Sequence, residues 1–159
     1  MVQLTIGPRA PKRWFEKAGD RVGQIRVDVT VTNELDVQAM SEGRLEPDAV
    51  RSVAPAGVLV DSGATTLCLP ADLVAALGLR YKKDAVAETP TGHHLIRVFG
   101  LATVSLMGRD NTFECVELPE GSPPLIGVYV LGGLGIEPNL REEVLELRPE
   151  TGPNGYLRI

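Results

Sequence analysis

Val58-Leu59-Val60-Asp61-Ser62-Gly63-Ala64-Thr65-Thr66-Leu67-Cys68-Leu69-Pro70 carries more information than any other stretch of this chain. Gly57-Val58-Leu59-Val60 is a continuous apolar run of the kind expected for a strand buried on both faces. An acid at its end is expensive to bury and needs hydrogen bonds or a partner. Ser62 and Gly63 supply them: a short hydroxyl, then a residue with no Cβ, so that backbone N–H groups can approach the carboxylate. A second apolar strand follows. Pro70–Gly78 then reads as a two-turn helix, with proline at its start, Asp72 in the first turn and glycine just past the end.

Outward from this segment the chain is mostly β. Gln24–Thr32 alternates polar and β-branched residues and predicts one nine-residue, half-buried strand. Further strands are expected at Leu95–Leu106, Thr112–Leu118, Pro124–Ile126, Val144–Leu147 and Tyr156–Ile159, punctuated by Gly100, Gly108, Gly121, Asp110-Asn111 and Pro123-Pro124. Tyr129–Leu134 is a weaker helix, since Gly132 and Gly133 each cost up to about 1 kcal/mol relative to alanine. Residues 1–21 read as a charged, proline-containing N-terminal arm. Residues 35–55 read as a polar insertion with a helical turn near Pro47–Val50.

The chain has 159 residues, enough for one domain at roughly 100–200 residues each. Its net charge of −5 argues against a phosphate-tracking nucleic-acid binder. Two cysteines, Cys68 and Cys115, are too few for a disulfide scaffold or a self-contained zinc site, and read as small buried hydrophobes. No apolar run approaches the roughly 20 residues of a membrane span, and the first residues lack the order of a secretory signal. A soluble, cytoplasmic protein that binds neither nucleic acid nor membrane is the expectation.

Val60–Thr66 resembles the active-site loop of the retropepsin-like aspartic proteases, whose signature is Asp-Thr/Ser-Gly-Ala/Ser. The helix ending Ala76-Leu77-Gly78-Leu79 follows as it does in the small prokaryotic members. Their second mark, two apolar residues and a glycine before a short helix, is similar to Leu125, Ile126 and Gly127 followed by Val128–Leu134. Leu134–Asn139 resembles their usual run into the last strands. The resemblance covers about residues 22–159, and it implies a closed acid-protease β-barrel with one or two short helices, acting as a dimer.

It also implies a mechanism. There is one Asp-Ser-Gly in the chain, where two-lobed aspartic proteases carry two such motifs. Asp61 from each of two subunits would therefore meet at a two-fold axis, sharing one proton. Ser62 would hydrogen-bond across the dimer, the Gly63 N–H would hold the carboxylates coplanar, and Ala64 and Thr65 would turn the chain into the next strand. A flap is expected at Ala87–His94, flanked by strands Ala85–Glu88 and His94–Phe99, with Thr89 and Pro90 on the approach and Thr91-Gly92 at the tip. A peptide or protein substrate would add to it as a strand. No metal or cofactor is implied.

Other readings compete. Asp61 as a plain turn or helix cap fits local turn chemistry. His93-His94 would point to opposite faces of a strand, which suits an exposed hairpin better than a metal site. The glycines of Leu131–Gly135 lack the spacing and β-α context of a dinucleotide loop and read as tight packing or a dimer surface. Trp14 and Phe15 read as a pin for the N-terminus. Asp-Ser-Gly-Ala-Thr-Thr also resembles the phosphate loop of actin-like ATPases, but these need two large lobes in one chain. Haloacid-dehalogenase phosphatases need a second Asp where Gly63 stands. A non-catalytic, dimerising peptide-binding module remains open, because Asp61 would look the same in a retired enzyme. Viral members also place a dimer-fastening arginine where this chain has Val128.

Overall fold

A computed structural model describes residues 24–149. The expectations for the N-terminal arm, for Trp14 and Phe15, and for a strand at Tyr156–Ile159 lie outside the described residues. Within them the protein is mostly β, with a curled nine-stranded sheet, a separate two-stranded sheet and three short helices. That is one helix more than expected, and the extra one lies in the insertion.

The strands are β1 (Ile25–Val27), β2 (Thr30–Asn33), β3 (Ser52–Val53), β4 (Val58–Asp61), β5 (Leu67–Pro70), β6 (Arg80–Thr89), β7 (Gly92–Leu106), β8 (Arg109–Leu118) and β9 (Leu125–Gly127). β10 (Ile136–Asn139) and β11 (Val144–Leu147) form the small sheet. The main sheet runs β1-β4-β9-β5-β8-β7-β2-β3, with β6 also paired to β7. Among the described residues no ladder joins β1 to β3, so the sheet is a curled half-barrel. The expected single strand Gln24–Thr32 is broken at Asp28-Val29, because its two halves serve opposite ends of the sheet: β1 pairs with β4, and β2 with β7. Asp28 accepts from the Gly57 amide at 2.8 Å, and Val29 donates to the Pro55 carbonyl, which holds this corner to the loop entering β4.

The core fills the inside of the curl. Val31, Val58, Leu67, Leu69, Leu77, Ala102, Val104, Cys115, Ile126 and Val130 are completely buried. Leu77 and Val130 come from the helices α2 (Ala71–Leu77) and α3 (Val128–Gly133), whereas most of the strand positions alternate with half-exposed ones, as a sheet with one packed face requires. The expectation that Val58–Val60 is buried on both faces is corrected accordingly. Val58 and Val60 point inward, whereas Leu59 is half-buried on the same face as Asp61.

The insertion is more ordered than its polarity suggests. Helix α1 spans Glu34–Ser41, capped by Asn33, whose Oδ1 accepts the Asp36 amide at 3.1 Å. Asn33 also donates to the carbonyls of Leu77 and Gly78 at the end of helix α2 (Ala71–Leu77). A 3-10 turn follows at Pro47–Ala49, close to the expected turn. Asp36 is buried and takes the Arg51 side chain in a two-pronged pair, Nε at 2.7 Å and Nη2 at 2.9 Å, plus the Arg51 amide. These Arg51 hydrogen bonds hold the Asp36 carboxyl below the usual carboxylate range, although burial pushes the other way.

The pH consequence has a definite sign. A lowered native pKa stabilises fully above the unfolded value of about 3.9 and is lost as pH falls through the native value. Asp36→Ala should cost about 1–2 kcal/mol at neutral pH, with Arg51 half-exposed and its attraction screened. That penalty should shrink below about pH 4, as urea denaturation of both proteins at pH 7 and pH 3 would show.

Candidate active site

Asp61 ends β4, and β9 lies parallel beside it with Asp61 opposite Gly127. After Asp61 the chain turns over the end of β9 and returns as β5 on the other side of that strand, antiparallel, with Leu67 opposite Ile126. β9 is thus gripped between the two arms of the Asp61 loop. Three backbone bonds fasten the crossing. Gly127 donates to the Thr66 carbonyl, Val128 to that of Ala64 and Tyr129 to that of Thr65, at 3.0–3.1 Å. The last two come from the first turn of helix α3 (Val128–Gly133), whose early N–H groups have no partner within the helix.

The crossing explains the glycine. A Cβ on Gly127 would lie 2.4 Å from the Thr65 carbonyl carbon, 2.6 Å from the Ala64 oxygen and 2.6 Å from the Thr66 nitrogen. All three are backbone atoms and none can swing aside. Ile126 is buried in the core and Leu125 is buried on the opposite face, so the apolar-apolar-glycine triplet is one core contact, one contact on the Asp61 side and one point of backbone contact.

Within the loop, the Gly63 amide donates to Asp61 Oδ1 at 2.8 Å and the Ala64 amide to the Asp61 carbonyl at 3.0 Å. Asp61 and Ala64 are half-buried, while Ser62, Gly63 and Thr65 are exposed. The carboxylate therefore stands at a reachable surface, on a loop whose backbone is pinned from below. Sequence reasoning passed over Thr66, yet it is half-buried and binds on both sides. Its carbonyl accepts from Gly127, and its hydroxyl donates to the Glu114 carbonyl at 3.2 Å.

Register defines what shares the face of Asp61. Leu59 pairs with Leu125, Leu125 with Cys68, Cys68 with Val116 and Val116 with Val98, a single row across β4, β9, β5, β8 and β7. Partners in a ladder point to the same side, and alternation puts Asp61 on the side of Leu59. A band of aliphatic side chains and one thiol thus lies along the carboxylate's own face. Strand alternation around Asp61 was the sequence signal for Leu59.

Cys68 is half-buried and Cys115 fully buried. They lie on neighbouring strands but on opposite faces, since Cys115 pairs with Leu67. Burial pushes the Cys68 thiol up to about 12, with the Asp61 charge adding to it, and burial also raises Cys115. Both should be inert. At pH 8 the native protein should react with iodoacetamide roughly a thousandfold more slowly than a free thiol of pKa about 8.5. Rapid labelling of either cysteine by mass spectrometry would contradict this burial.

The hairpin expected at Ala87–His94 is present and longer than its predicted arms, being built from β6 and β7 and paired from Arg80 to Thr89. Its turn is Pro90-Thr91, one residue earlier than expected, because Thr89 pairs with Gly92. Proline supplies the fixed φ of the first turn position, and Gly92 follows at φ +119°. His93 is exposed and His94 half-buried, on opposite faces of β7. Elsewhere, Gly133 of α3 packs edge-on to Phe113 and Gly135 lies against Arg109, which fits the packing reading for these two glycines but not for Gly132, where a Cβ would meet nothing within 4 Å. Among the described residues no helix is long and apolar enough to cross a membrane.

No curated protein matches this sequence. Residues 49–132, just over half of the chain, match the aspartyl protease family model. That span opens in the insertion, includes Asp61, the grip on Gly127 and the β6–β7 hairpin, and closes inside α3. This chain belongs to the aspartyl protease family, within the retropepsin-like clan.

Proposed function

We propose that the protein is an aspartic endopeptidase that works as a symmetric homodimer, with Asp61 of each subunit forming the catalytic pair. The observation that carries the reading is Asp61, the aspartate of the chain's one Asp-Ser-Gly, half-buried on a loop locked over Gly127 and held by the Gly63 amide. Two carboxylates at one axis share a proton, since both cannot ionise side by side. The ionised member takes a proton from water as its oxygen attacks the peptide carbonyl carbon. The protonated member hydrogen-bonds the carbonyl oxygen, and proton delivery to the amine nitrogen releases the second product.

The surface around the loop supports a partner subunit. Val128 and Tyr129, directly after Gly127, are 45% and 67% exposed, and a second copy meeting at Asp61 would cover them. An apolar residue at 128 makes that contact by burial rather than by an arginine. Ser62 is exposed beside it and available to a partner loop. The half-buried Leu59, Cys68 and Val116 on the face of Asp61 favour substrates with aliphatic residues next to the cleaved bond, with the β6–β7 hairpin as flap. Closure of the half-barrel belongs to the same reading.

Two measurements test it. A peptide library incubated at pH 4–7 should be cut at apolar sites, and a statine-type peptide should block the cutting. Sedimentation at tens of micromolar should show a dimer. A strictly monomeric species would overturn the shared pair. A dimer that binds peptides but never cuts them would reassign the protein as a binding module.

A further inference from the structure

The β6–β7 hairpin ends in a chain of hydrogen bonds whose direction can be worked out. Thr89 Oγ1 donates to the Gly92 carbonyl at 3.0 Å; Thr89 Oγ1 and Thr91 Oγ1 are 3.1 Å apart; Thr91 Oγ1 and His94 Nε2 are 2.9 Å apart. A carbonyl can only accept, and each hydroxyl has one proton. The proton of Thr89 is used on Gly92, so Thr89 must accept from Thr91. The proton of Thr91 is then used as well, so Thr91 must accept from His94. Only one arrangement satisfies all three contacts: His94 Nε2–H to Thr91, Thr91 O–H to Thr89, Thr89 O–H to Gly92. The Thr91 amide, 3.3 Å from Thr89 Oγ1, adds a second donor to the same oxygen.

The chain spans the turn and ties its two arms together. His94, on β7, reaches back over Pro90-Thr91 to the last residue of β6. By alternation His94 shares its face with Ile96 and Val98, and Val98 belongs to the register row that runs to Leu59 beside Asp61. The side chain that sets the tip is thus on the same sheet face as the carboxylate.

We propose that His94 is a positioning residue for the flap, and that its protonation tightens the tip. The proposal rests on the aspartic endopeptidase reading for its consequence, closure over a peptide, but not for its test. Histidine is the side chain whose charge ordinarily changes between pH 5 and 8. Because Nε2 is the donor, the added proton goes to Nδ1 and leaves the chain intact. A charged donor makes a stronger bond, so protonation favours the ordered tip. The extra order is therefore present at low pH and lost as pH rises.

The surroundings of His94 leave it the main switch at this end. Opposite it on β6 is Ala87, with Ala85 and Thr89 as the neighbours on the same face. The titratable groups nearby are Glu88 on β6 and His93 on β7, which pair with each other on the opposite face; Asp84 on β6 and Arg97 on β7 pair farther down that face. Lys83 shares the face of His94 but sits opposite Val98. Among the described residues, the ladder from β8 reaches β7 only from Val98 onward, so no third strand brings charge to the tip.

The test reads tip order directly. Amide hydrogen exchange of Thr89 and of residues 91–94 is followed from pH 5 to pH 8 and expressed as protection factors, in the full chain and in His94→Gln, Thr91→Val and His93→Gln. Wild type should lose about three- to tenfold of its tip protection as pH rises through the histidine range. His94→Gln keeps a donor that cannot titrate, so its protection should stay flat and close to that of wild type at high pH. Thr91→Val breaks the chain and should be weakly protected at every pH. His93→Gln should behave as wild type. Equal protection at both ends of the range in wild type, or a full pH response surviving in His94→Gln, would overturn the proposal. Either failure would leave the Asp61 reading standing, because no cleavage enters the measurement.

Discussion

Gly127→Ala should unfold or nearly unfold the active-site end of the molecule while adding only one methyl group. The expected loss is about 3 kcal/mol or more, well above an ordinary surface change. Overpacked side chains usually relax by choosing another rotamer, but the three atoms meeting this methyl are main chain of Ala64, Thr65 and Thr66. Making room requires lifting the loop off β9. That would stretch the bonds from Gly127, Val128 and Tyr129 to Thr66, Ala64 and Thr65 and leave buried amides and carbonyls without partners. For a chain of this size the midpoint of thermal unfolding should fall by on the order of 10 °C. Differential scanning calorimetry is the direct measurement. The same substitution at Gly132, where a Cβ meets nothing within 4 Å, should be neutral or mildly stabilising, as alanine is the better helix former. An alanine at 127 tolerated as well as one at 132 would mean that the loop does not grip β9 as described.

What could be read ahead of the structure divides along physical lines. Residues 58–70 and 125–127 were legible because they combine two demands in few residues: apolar side chains for the core, and glycines where backbone meets backbone. The α2 helix was legible from its ends, proline before and Gly78 after, and Gly78 does sit at φ +60° as the C-cap. Helix α1 was missed because its one buried position is the carboxylate Asp36 and the others are half-buried or exposed, leaving no apolar repeat to follow. The signal it did carry was local: Asn33 three residues before Asp36, as an N-cap requires. The first half of β6, Arg80–Asp84, was missed for a related reason. It is an edge strand, exposed along Arg80-Tyr81-Lys82-Lys83-Asp84, and is held by its ladder to β7 rather than by burial. The break in Gln24–Thr32 could not be seen from alternation, since both halves keep the same period. Only the pairing of β1 with β4 and of β2 with β7 separates them.

Asp61→Asn should separate folding from chemistry. Asparagine keeps an Oδ1 that can accept the Gly63 amide, and the Ala64 bond goes to the main-chain carbonyl. Stability should therefore stay within about 1 kcal/mol of wild type. The amide can neither take a proton from water nor hold the shared one, so cleavage should fall by at least about a thousandfold. Mixing the two proteins sharpens the result. If each active site draws one aspartate from each subunit, a dimer with a single Asp61 is dead. A one-to-one mixture, left to exchange subunits, should then show about a quarter of the activity of the same total amount of wild type. If one chain carries a complete site, the mixture should show half. The exposed pair Val128 and Tyr129 provides an independent handle on the same point. Tyr129→Lys leaves Asp61 untouched but places a charge on the face that a second copy would bury. Its dimer should weaken, with activity lost at low protein concentration and recovered at high. A purely local effect at Asp61 would be the same at every concentration.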